Sequence, residues 1–223
     1  MPVSDYSPVI QDYLKIIWAA TEWEEKPITV KALSERLGVR TATISDGIRR
    51  LVDQGLVAHE PYRGIELTQT GRRGAVEMIR RHRLIETFLV EALGYGWDEV
   101  HEEADTLEHA VSETLIDRID QRLGFPTRDP HGDPIPTKEG AERRPDAMPL
   151  RQAPAGERLV VARISDADSA VLRYLAERGI ALDTPLILEE YRAFAGDVSV
   201  NLNGTMVVLG AGAAAAIWVM LEK

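Results

Sequence analysis

One short segment carries four side chains that could together bind a metal ion. His101, Asp105, Glu108 and His109 fall within a stretch whose pattern predicts a helix over roughly residues 97–111. On a helix, positions i, i+4, i+7 and i+8 share one face, which here would hold two imidazoles and two carboxylates. Burying unpaired charges is costly, and coordination of a divalent cation would remove that cost. The alternative is an exposed acidic face without a ligand.

A second pair of possible ligands, His82 and Glu86, lies on the preceding long helix, predicted to begin at Thr68 or Thr70 and to end near Leu93. The pair has i, i+4 spacing, so both side chains share a face. A helical bundle could bring the two sets together, as di-metal carboxylate proteins do. Such a pair alone is more often a surface salt bridge.

The remaining histidines, His59 and His131, fall in a strand and in a proline-rich loop, where we do not expect metal ligation. The chain has no cysteine, so any metal must be held by carboxylates and imidazoles, which suit Mn, Fe and Zn better than Cu(I). The first residues lack the features of a signal peptide, and the apolar stretch at 207–221 is too short to span a bilayer. We therefore expect a cytoplasmic protein with no membrane partner.

Charge is distributed unevenly along the 223 residues. The net charge is −10, yet residues 1–75 carry ten Lys/Arg against ten Asp/Glu, so residues 76–223 hold the whole acidic excess. A neutral module with clustered arginines beside an acidic module fits a DNA reader attached to a cation sensor. A solvated surface with no such meaning is the alternative.

The first 55 residues show the pattern of a helix followed by a helix-turn-helix. Apolar residues recur at helical spacing over 7–22. Thr29 is a plausible N-cap for a second helix, and Gly38 permits a tight turn after it. The third helix is predicted to run from its capping candidate, Thr41, to Gly55.

A β-hairpin is predicted immediately afterwards, with strands at 56–60 and 65–68 and a turn between them. A hairpin in this position is a wing, so the module is a winged helix-turn-helix. Hydroxyls and guanidinium groups at the start of the third helix and in the wing could meet phosphates and base edges in the major groove. They could also be solvated surface, and a winged helix can serve protein contacts alone. The residues predicted to contact DNA are Arg40, Thr41, Ala42, Thr43, Ser45, Asp46, Arg49, Arg50 and Arg63.

The residue composition changes twice along the C-terminal half of the chain. Ser112 is predicted to cap a further helix, and residues 125–156, with seven of the twelve prolines, are predicted to be a linker or extended loop rather than packed structure. Short apolar runs in 158–223, with a helical patch at 169–178, predict a small β-barrel.

These features together resemble one family, the diphtheria-toxin-repressor-like metalloregulators, and within it the manganese transport regulators. The resemblance rests on the helix-turn-helix and on five stretches: Asp12-Tyr-Leu-Lys-Ile-Ile, Tyr62-Arg-Gly-Ile-Glu-Leu-Thr, Arg81-His-Arg-Leu-Ile-Glu86, the block His101–His109 and the loop Asp129-Pro-His-Gly-Asp-Pro-Ile-Pro136. It implies a mainly α fold with a small β part. The implied domains are a winged helix-turn-helix at 1–75, a helical metal-binding and dimerisation domain at 76–140, a linker at 141–157 and an SH3-like (FeoA-like) domain at 158–223.

The resemblance also implies roles for the acidic and histidine residues. A primary regulatory metal site would comprise Asp12, Asp105, Glu108 and His109; an ancillary site would comprise His82, Glu86 and His101, with Asp166 of the C-terminal domain as a further candidate. Iron-responsive members place Met and Cys where Asp12 and Asp105 stand, and hard oxygen ligands favour Mn²⁺ over Fe²⁺. A cation joining Asp12 to the later residues would fix the DNA-binding half against the second half.

The function implied is a Mn²⁺-dependent repressor that binds double-stranded operator DNA as a homodimer, controls metal-uptake genes and uses no organic cofactor. Alternatives are an Fe²⁺-responsive repressor, a di-metal hydrolase and a metal-independent DNA binder. The hydrolase lacks a nucleophile elbow or phosphate-binding loop, and the DNA binder leaves the acidic segment unexplained. Apolar residues that could form the dimer or the core are Ile85, Phe88, Leu89, Leu115, Ile116 and Ile119.

Overall fold

The computed structural model describes residues 3–23, 27–59 and 64–222. The chain divides into two compact units. The first comprises Met1–His82, Glu108–Val111 and Pro136–Ala141; the second comprises Arg83–Leu107, Ser112–Ile135 and Glu142–Lys223. In the part of the chain that is described, no helix combines the length and hydropathy needed to cross a membrane.

The first unit begins with three helices and a hairpin. Its elements are α1 (Pro8–Glu22), α2 (Val30–Leu37), α3 (Thr41–Asp53), β1 (Val57–His59) and β2 (Ile65–Leu67), and helix α4 (Gln69–Leu93) follows. Strands β1 and β2 pair antiparallel, with Ala58 opposite Glu66. This order confirms the predicted winged helix-turn-helix. The first three residues of the predicted wing turn at 61–64, including Arg63, lie outside the described residues.

Side-chain caps mark the start of two of these four helices, α2 and α4. The Thr29 hydroxyl accepts a hydrogen bond from the Ala32 amide, and Gly38 ends α2 with φ near +65°, both as predicted. The Thr68 hydroxyl accepts from the Gly71 amide and so caps α4. The prediction for Thr41 was wrong: it is the first helical residue of α3. The extended backbone at the cap position belongs to Arg40, which makes no side-chain cap.

The core of the first unit joins α1 to the helix-turn-helix and the hairpin. Helix α1 buries Tyr13, Leu14, Ile17 and Trp18 of the apolar stripe predicted within 7–22, whereas Ile10, the first residue of that stripe, is only partly buried. Helix α3 contributes further apolar residues that meet this stripe: Ile44, Ile48 and Leu51. The fit is close, because a Cβ at Gly47 of α3 would stand 2.5 Å from the Tyr13 hydroxyl. Helix α3, the second helix of the helix-turn-helix and hence its recognition helix, is therefore held against α1 by shared burial of apolar surface.

The second unit contains two short helices, α5 (Val100–Leu107) and α6 (Glu113–Arg122). The Ser112 hydroxyl accepts from the Leu115 amide at 3.3 Å, which confirms the predicted cap of α6. The helix predicted over 97–111 is shorter than expected. It ends at Leu107, and Glu108 and His109 follow in a turn.

The proline-rich segment is partly packed, contrary to our prediction of an unpacked loop. Asp129, His131 and Asp133 are all buried. One carboxylate oxygen of Asp129 accepts from the amides of His131 and Asp133, which folds the chain into a tight loop. Within the second unit the Ile164 amide donates to the His131 carbonyl, so this loop is anchored to the C-terminal sheet.

The C-terminal part of the second unit is an antiparallel sheet with two small helices. Its elements are β3 (Met148–Pro149), β4 (Arg158–Ile164), α7 (Ser169–Ala176), β5 (Pro185–Arg192), β6 (Asp197–Leu202), β7 (Thr205–Leu209), α8 (Ala211–Ala215) and β8 (Ile217–Leu221). The strand order is β3-β8-β4-β5-β6-β7. Register shifts in β4 and β5 mark irregularities that curve the sheet around a buried apolar core.

Candidate metal centre and DNA interface

A first cluster of ligand-type side chains lies within the first unit. Asp12 of α1, Glu108 and His109 place one potential ligand atom each within 4.8 Å of one another. His109 Nε2 is 3.0 Å from Asp12 Oδ1 and 3.6 Å from Glu108 Oε1. The side chain of Glu108 is fully buried, whereas Asp12 and His109 are half-buried. The cluster thus joins the first helix to the turn that follows α5.

Gln11 orients the imidazole of His109. The Gln11 amide nitrogen donates to the carbonyls of Val3 and Tyr6, so its oxygen faces the opposite way. That oxygen lies 2.7 Å from His109 Nδ1. Because an amide oxygen only accepts, Nδ1 carries a hydrogen, and Nε2 is the nitrogen left to face Asp12 and a bound cation. Metal-binding histidines are typically held by such a partner.

Both carboxylate oxygens of Glu108 have partners within the first unit. Lys15 Nζ lies 2.6 Å from Oε1, and His82 Nδ1 lies 2.6 Å from Oε2. An ionised carboxylate only accepts, so His82 donates through Nδ1. The Glu108 carbonyl also accepts from Arg81 at 3.0 Å. These contacts hold the buried carboxylate in one position.

A second cluster lies within the second unit. His101 Nδ1 is 3.1 Å from Glu86 Oε1 and 3.0 Å from Asp166 Oδ2. His101 Nε2 lies 3.7 Å from the carboxylate of Asp105, one turn further along α5. Glu86 is buried on α4, and Asp166 follows strand β4. Only the resemblance suggested that Asp166 accompanies the ligands on the helices. The structure places its carboxylate in contact with His101.

His131 belongs to this second cluster, although no metal ligand was predicted in its proline-rich segment. Its ligand atom lies within 4.8 Å of those of Glu86 and Asp166. Nε2 lies 2.7 Å from the Trp97 carbonyl, so it donates there and Nδ1 keeps a lone pair. Among the described residues Nδ1 has no hydrogen-bond partner although it is buried.

Gly132 and two arginines hold the loop that presents His131. Gly132 has φ near +90°, and a Cβ there would stand 2.2 Å from the Ala162 carbonyl oxygen. Arg83 donates to the Pro134 carbonyl at 2.7 Å, and Arg163 Nε lies 2.6 Å from Asp133 Oδ1. Asp129, buried beside Asp133 and Glu86, has its pKa raised to about 7 by loss of hydration and by these negative neighbours.

Electrostatics in the second cluster favour a bound positive charge. Burial opposes protonation of His101, but hydrogen bonds to Asp166 and Glu86 outweigh it and raise its pKa to about 11. Burial likewise opposes a charge on His131, yet Asp129, Glu86 and Asp166 raise its pKa. For Asp166, burial is outweighed by His101, which holds the carboxyl pKa well below its usual range.

The donor atoms present fit a hard or borderline divalent cation. All are carboxylate oxygens or imidazole nitrogens, the set that suits Mn, Fe and Zn. Two ligands on opposite sides of one ion at about 2.2 Å stand about 4.4 Å apart, so spacings within 4.8 Å need only small shifts. The lone pair of the buried His131 Nδ1 is a group that coordination would satisfy.

The predicted face of four ligands on one helix is wrong in its geometry. Because α5 ends at Leu107, only His101 and Asp105 lie on the helix. Glu108 and His109 instead meet Asp12 in the first unit, and His101 meets Glu86 and Asp166 in the second. His82 is hydrogen-bonded through Nδ1 to Glu108 within the first unit.

The start of α3 presents polar side chains to solvent. Every predicted DNA-contacting residue within the described part of the chain is exposed: Arg40, Thr41, Ala42, Thr43, Ser45, Asp46, Arg49 and Arg50. The opposite face of α3 is buried in the core. Arg49 lies 3.2 Å from Asp46, and Ser45 donates to the Thr41 carbonyl, so both side chains stay close to the helix. Arg63 lies outside the described residues.

Three family models match consecutive parts of the sequence. They are the N-terminal DNA-binding domain of iron-dependent repressors at residues 5–65, the metal-binding and dimerisation domain of the same repressors at 68–137, and the FeoA domain at 148–221. The diphtheria toxin repressor of Corynebacterium efficiens is 31% identical over 218 residues, which cover 93% of each chain. The chain belongs to the iron-dependent repressor family.

Other relatives and solved structures agree with this membership. The iron-dependent repressor IdeR of Mycobacterium leprae is 33% identical over 166 residues, which cover 71% of this chain and 72% of the relative. A manganese-dependent transcriptional repressor solved in complex with manganese is 53% identical, with a TM-score of 0.92 over 96% of this chain and all of the other. The manganese regulator SloR is 31% identical, with a TM-score of 0.82, covering 97% and 100%. These matches confirm the predicted fold class and regulatory function.

Proposed function

We propose that this repressor uses Mn²⁺ as its corepressor and binds operator DNA as a homodimer to control metal-uptake genes. The observation that carries the proposal is the cluster of Asp12, Glu108 and His109. Asp12 belongs to α1, whose buried face meets the recognition helix. Shared ligation with the turn at Glu108 and His109 would restrict the motion of α1, and through it that of α3.

We assign the primary site to Asp12, Asp105, Glu108 and His109. A bound divalent cation would supply positive charge to a buried carboxylate and a preoriented imidazole nitrogen. His109 offers Nε2, because Gln11 holds Nδ1, and Glu108 offers a carboxylate held inside the core. Asp105 remains assigned by resemblance, and its carboxylate lies 3.7 Å from His101 Nε2.

We assign the ancillary site to Glu86, His101 and Asp166, and we add His131 to it. The contacts among these side chains and the raised pKa of His101 support a site for positive charge. His82 remains a predicted ligand, and its Nδ1 is hydrogen-bonded to Glu108. The ancillary site would link the helical region to the C-terminal sheet, because Glu86 and Asp166 come from these two parts of the second unit.

Mn²⁺ is favoured over Fe²⁺ by the chemistry of the donors. Both clusters contain only oxygen and nitrogen ligands, and the two positions where iron-responsive members have sulfur are Asp12 and Asp105. A structural relative with 53% identity is named as a manganese-dependent repressor complexed with manganese. Fe²⁺ remains the second candidate, since the sequence relatives include iron-dependent repressors.

Support for a dimer that binds operator DNA comes from the family's DNA-binding domain and dimerisation domain. Several large apolar side chains of the second unit are exposed and available to a second copy: Leu93, Leu115 and Phe125. Ile85, Leu89, Ile116 and Ile119 are buried in the chain itself. Two recognition helices of a dimer would meet successive major grooves about 34 Å apart. The domain limits at 75, 140 and 157 and the cytoplasmic location stay predictions.

The test is a substitution at Asp12. Asp12→Ala should abolish Mn²⁺-dependent operator binding while leaving the fold and the dimer intact, because Asp12 lies at the solvent-accessible edge of the cluster. Circular dichroism and size-exclusion chromatography check the fold and the dimer. Asp5→Ala, which removes an exposed carboxylate of the same unit, is the matched control. Full Mn²⁺-dependent binding by Asp12→Ala would rule the primary assignment out.

A further inference from the structure

Lys15 occupies an unusual position for a lysine, beside the ligands of the candidate primary site. Its ammonium group lies 2.6 Å from Glu108 Oε1, and its side chain is only 12% exposed. Lys15 follows Asp12 by three residues on α1, so both side chains lie on the same helix face. A positive group of the protein therefore stands among residues suited to bind a cation.

Lys15 contacts Glu108 Oε1, which is also the carboxylate oxygen that faces His109. Glu108 Oε1 is 3.6 Å from His109 Nε2, which in turn is 3.0 Å from Asp12 Oδ1. The other oxygen, Oε2, is engaged by His82 at 2.6 Å. A cation bound by Asp12, Glu108 and His109 would have to share Oε1 with the ammonium group or take it over.

Of the two side chains that are hydrogen-bonded to the Glu108 carboxylate, Lys15 is the one that can move away. An ammonium group and a divalent cation on one oxygen repel each other, and burial weakens the screening by water. Lysine carries its charge on a flexible four-carbon stem that can reach solvent. His82 is a buried imidazole fixed on α4, so its movement would disturb the core.

We propose that Lys15 is an internal competitor of the metal ion, and that its hold on Glu108 sets the metal concentration at which the repressor responds. This inference rests on the primary site proposed above. Lys15 stabilises the buried carboxylate when no metal is bound and is displaced when metal binds. Its charge thereby weakens the apparent affinity and keeps the sensor from saturating at low metal concentration.

The experiment compares Lys15→Met and Lys15→Gln with Lys15→Arg in the full-length chain. Each protein is stripped with EDTA, dialysed, and titrated with MnCl₂ by isothermal calorimetry at one pH and one salt concentration. The relevant binding event is the one that Asp12→Ala removes. Lys31→Met is the matched control, because it removes an exposed lysine of the same unit whose partner is Glu35 at 3.8 Å.

The proposal predicts that both neutral variants bind Mn²⁺ at least about tenfold more tightly than the parent, the size of one charge-assisted hydrogen bond. Lys15→Arg and Lys31→Met should stay near the parent affinity. In thermal unfolding, Lys15→Met should melt lower without metal and gain more from added Mn²⁺ than the parent does. A folded neutral variant with equal or weaker Mn²⁺ affinity overturns the proposal. A parent protein that binds no Mn²⁺ overturns the proposed function itself.

Discussion

Replacing Gln11 by leucine should weaken metal binding although Gln11 is not a ligand in any assignment made above. Gln11 is buried, and its oxygen fixes the hydrogen of His109 on Nδ1 at a distance of 2.7 Å. Without that acceptor, the imidazole is free to rotate and to place its hydrogen on Nε2, the nitrogen that faces Asp12. Loss of such an orienting partner typically costs 10- to 100-fold in metal affinity, or about 1.4–2.8 kcal/mol.

The same substitution has a separate cost in folding stability. The Gln11 amide nitrogen donates to the Val3 and Tyr6 carbonyls, and the leucine variant leaves both without that donor. A buried polar group left without its partner costs about 1–3 kcal/mol. Gln11→Glu helps to separate the two effects, because it keeps an acceptor for His109 and replaces the donor by a negatively charged oxygen that faces the two carbonyls.

Calorimetric titration with Mn²⁺ and urea unfolding measure the two effects on the same samples. Gln11→Leu should lose affinity and stability, whereas Gln11→Glu should lose stability but keep most of its affinity. Gln69→Leu, at an exposed position of the same unit, should change neither. The reasoning about His109 is refuted if folded Gln11→Leu binds Mn²⁺ as tightly as the parent.

Three further predictions concern the second cluster, its loop and the DNA face. Because the pKa of His101 is raised to about 11, its charge stabilises the fold fully below pH 6.5, and that contribution fades as the pH rises towards about 11. A metal ion that binds His101 must displace this proton. The affinity for Mn²⁺ should therefore rise about tenfold per pH unit between about pH 6.5 and 8. Calorimetric titration in two buffers of different ionisation enthalpy measures the proton release, and its absence would contradict this prediction. Gly132→Ala should cost more than about 2 kcal/mol in urea unfolding, because its Cβ meets the Ala162 carbonyl. Gly94→Ala shares the positive φ but has open space, so it should cost only about 1 kcal/mol, and equal losses would refute the clash. Arg49→Ala should reduce the slope of log affinity for DNA against log salt concentration by about one unit, whereas the control Arg178→Ala should leave it unchanged. An unchanged slope in Arg49→Ala would exclude a phosphate contact by Arg49.

The parts of the fold that were predicted are those specified by neighbouring residues. The stripe on α1 repeats every three to four residues, and Tyr13, Leu14, Ile17 and Trp18 are buried accordingly. The caps at Thr29 and Ser112 need only an amide three residues ahead. Local chemistry suffices for such features, so one sequence is enough to find them.

The end of α5 could not be predicted in the same way. No glycine or proline follows Leu107 directly, so the local pattern favours a continuous helix to Val111. The turn at Glu108 is held instead by contacts distant in sequence, with Arg81 on its carbonyl and with Lys15 and His82 on its carboxylate. Tertiary contacts overrode the periodicity and divided one expected face into two clusters.

His131 and Gln11 were missed for related reasons. A histidine in a proline-rich segment looks solvated, yet Asp129 and the positive φ of Gly132 fold this segment into a buried loop. The alternation of Asp129, His131 and Asp133 around a glycine was the available signal. Gln11 gives no such signal, because its importance depends on an imidazole 98 residues away.

The central claim is that metal controls DNA binding, and fluorescence anisotropy tests it most directly. A labelled promoter fragment from upstream of a metal-transporter gene is titrated with protein at fixed salt, with EDTA, Mn²⁺, Fe²⁺ or Zn²⁺. We expect tight binding with Mn²⁺ that disappears with EDTA. Stronger activation by Fe²⁺ would correct the metal assignment. Tight binding that is indifferent to EDTA would contradict the account, because the two clusters would then not be switches.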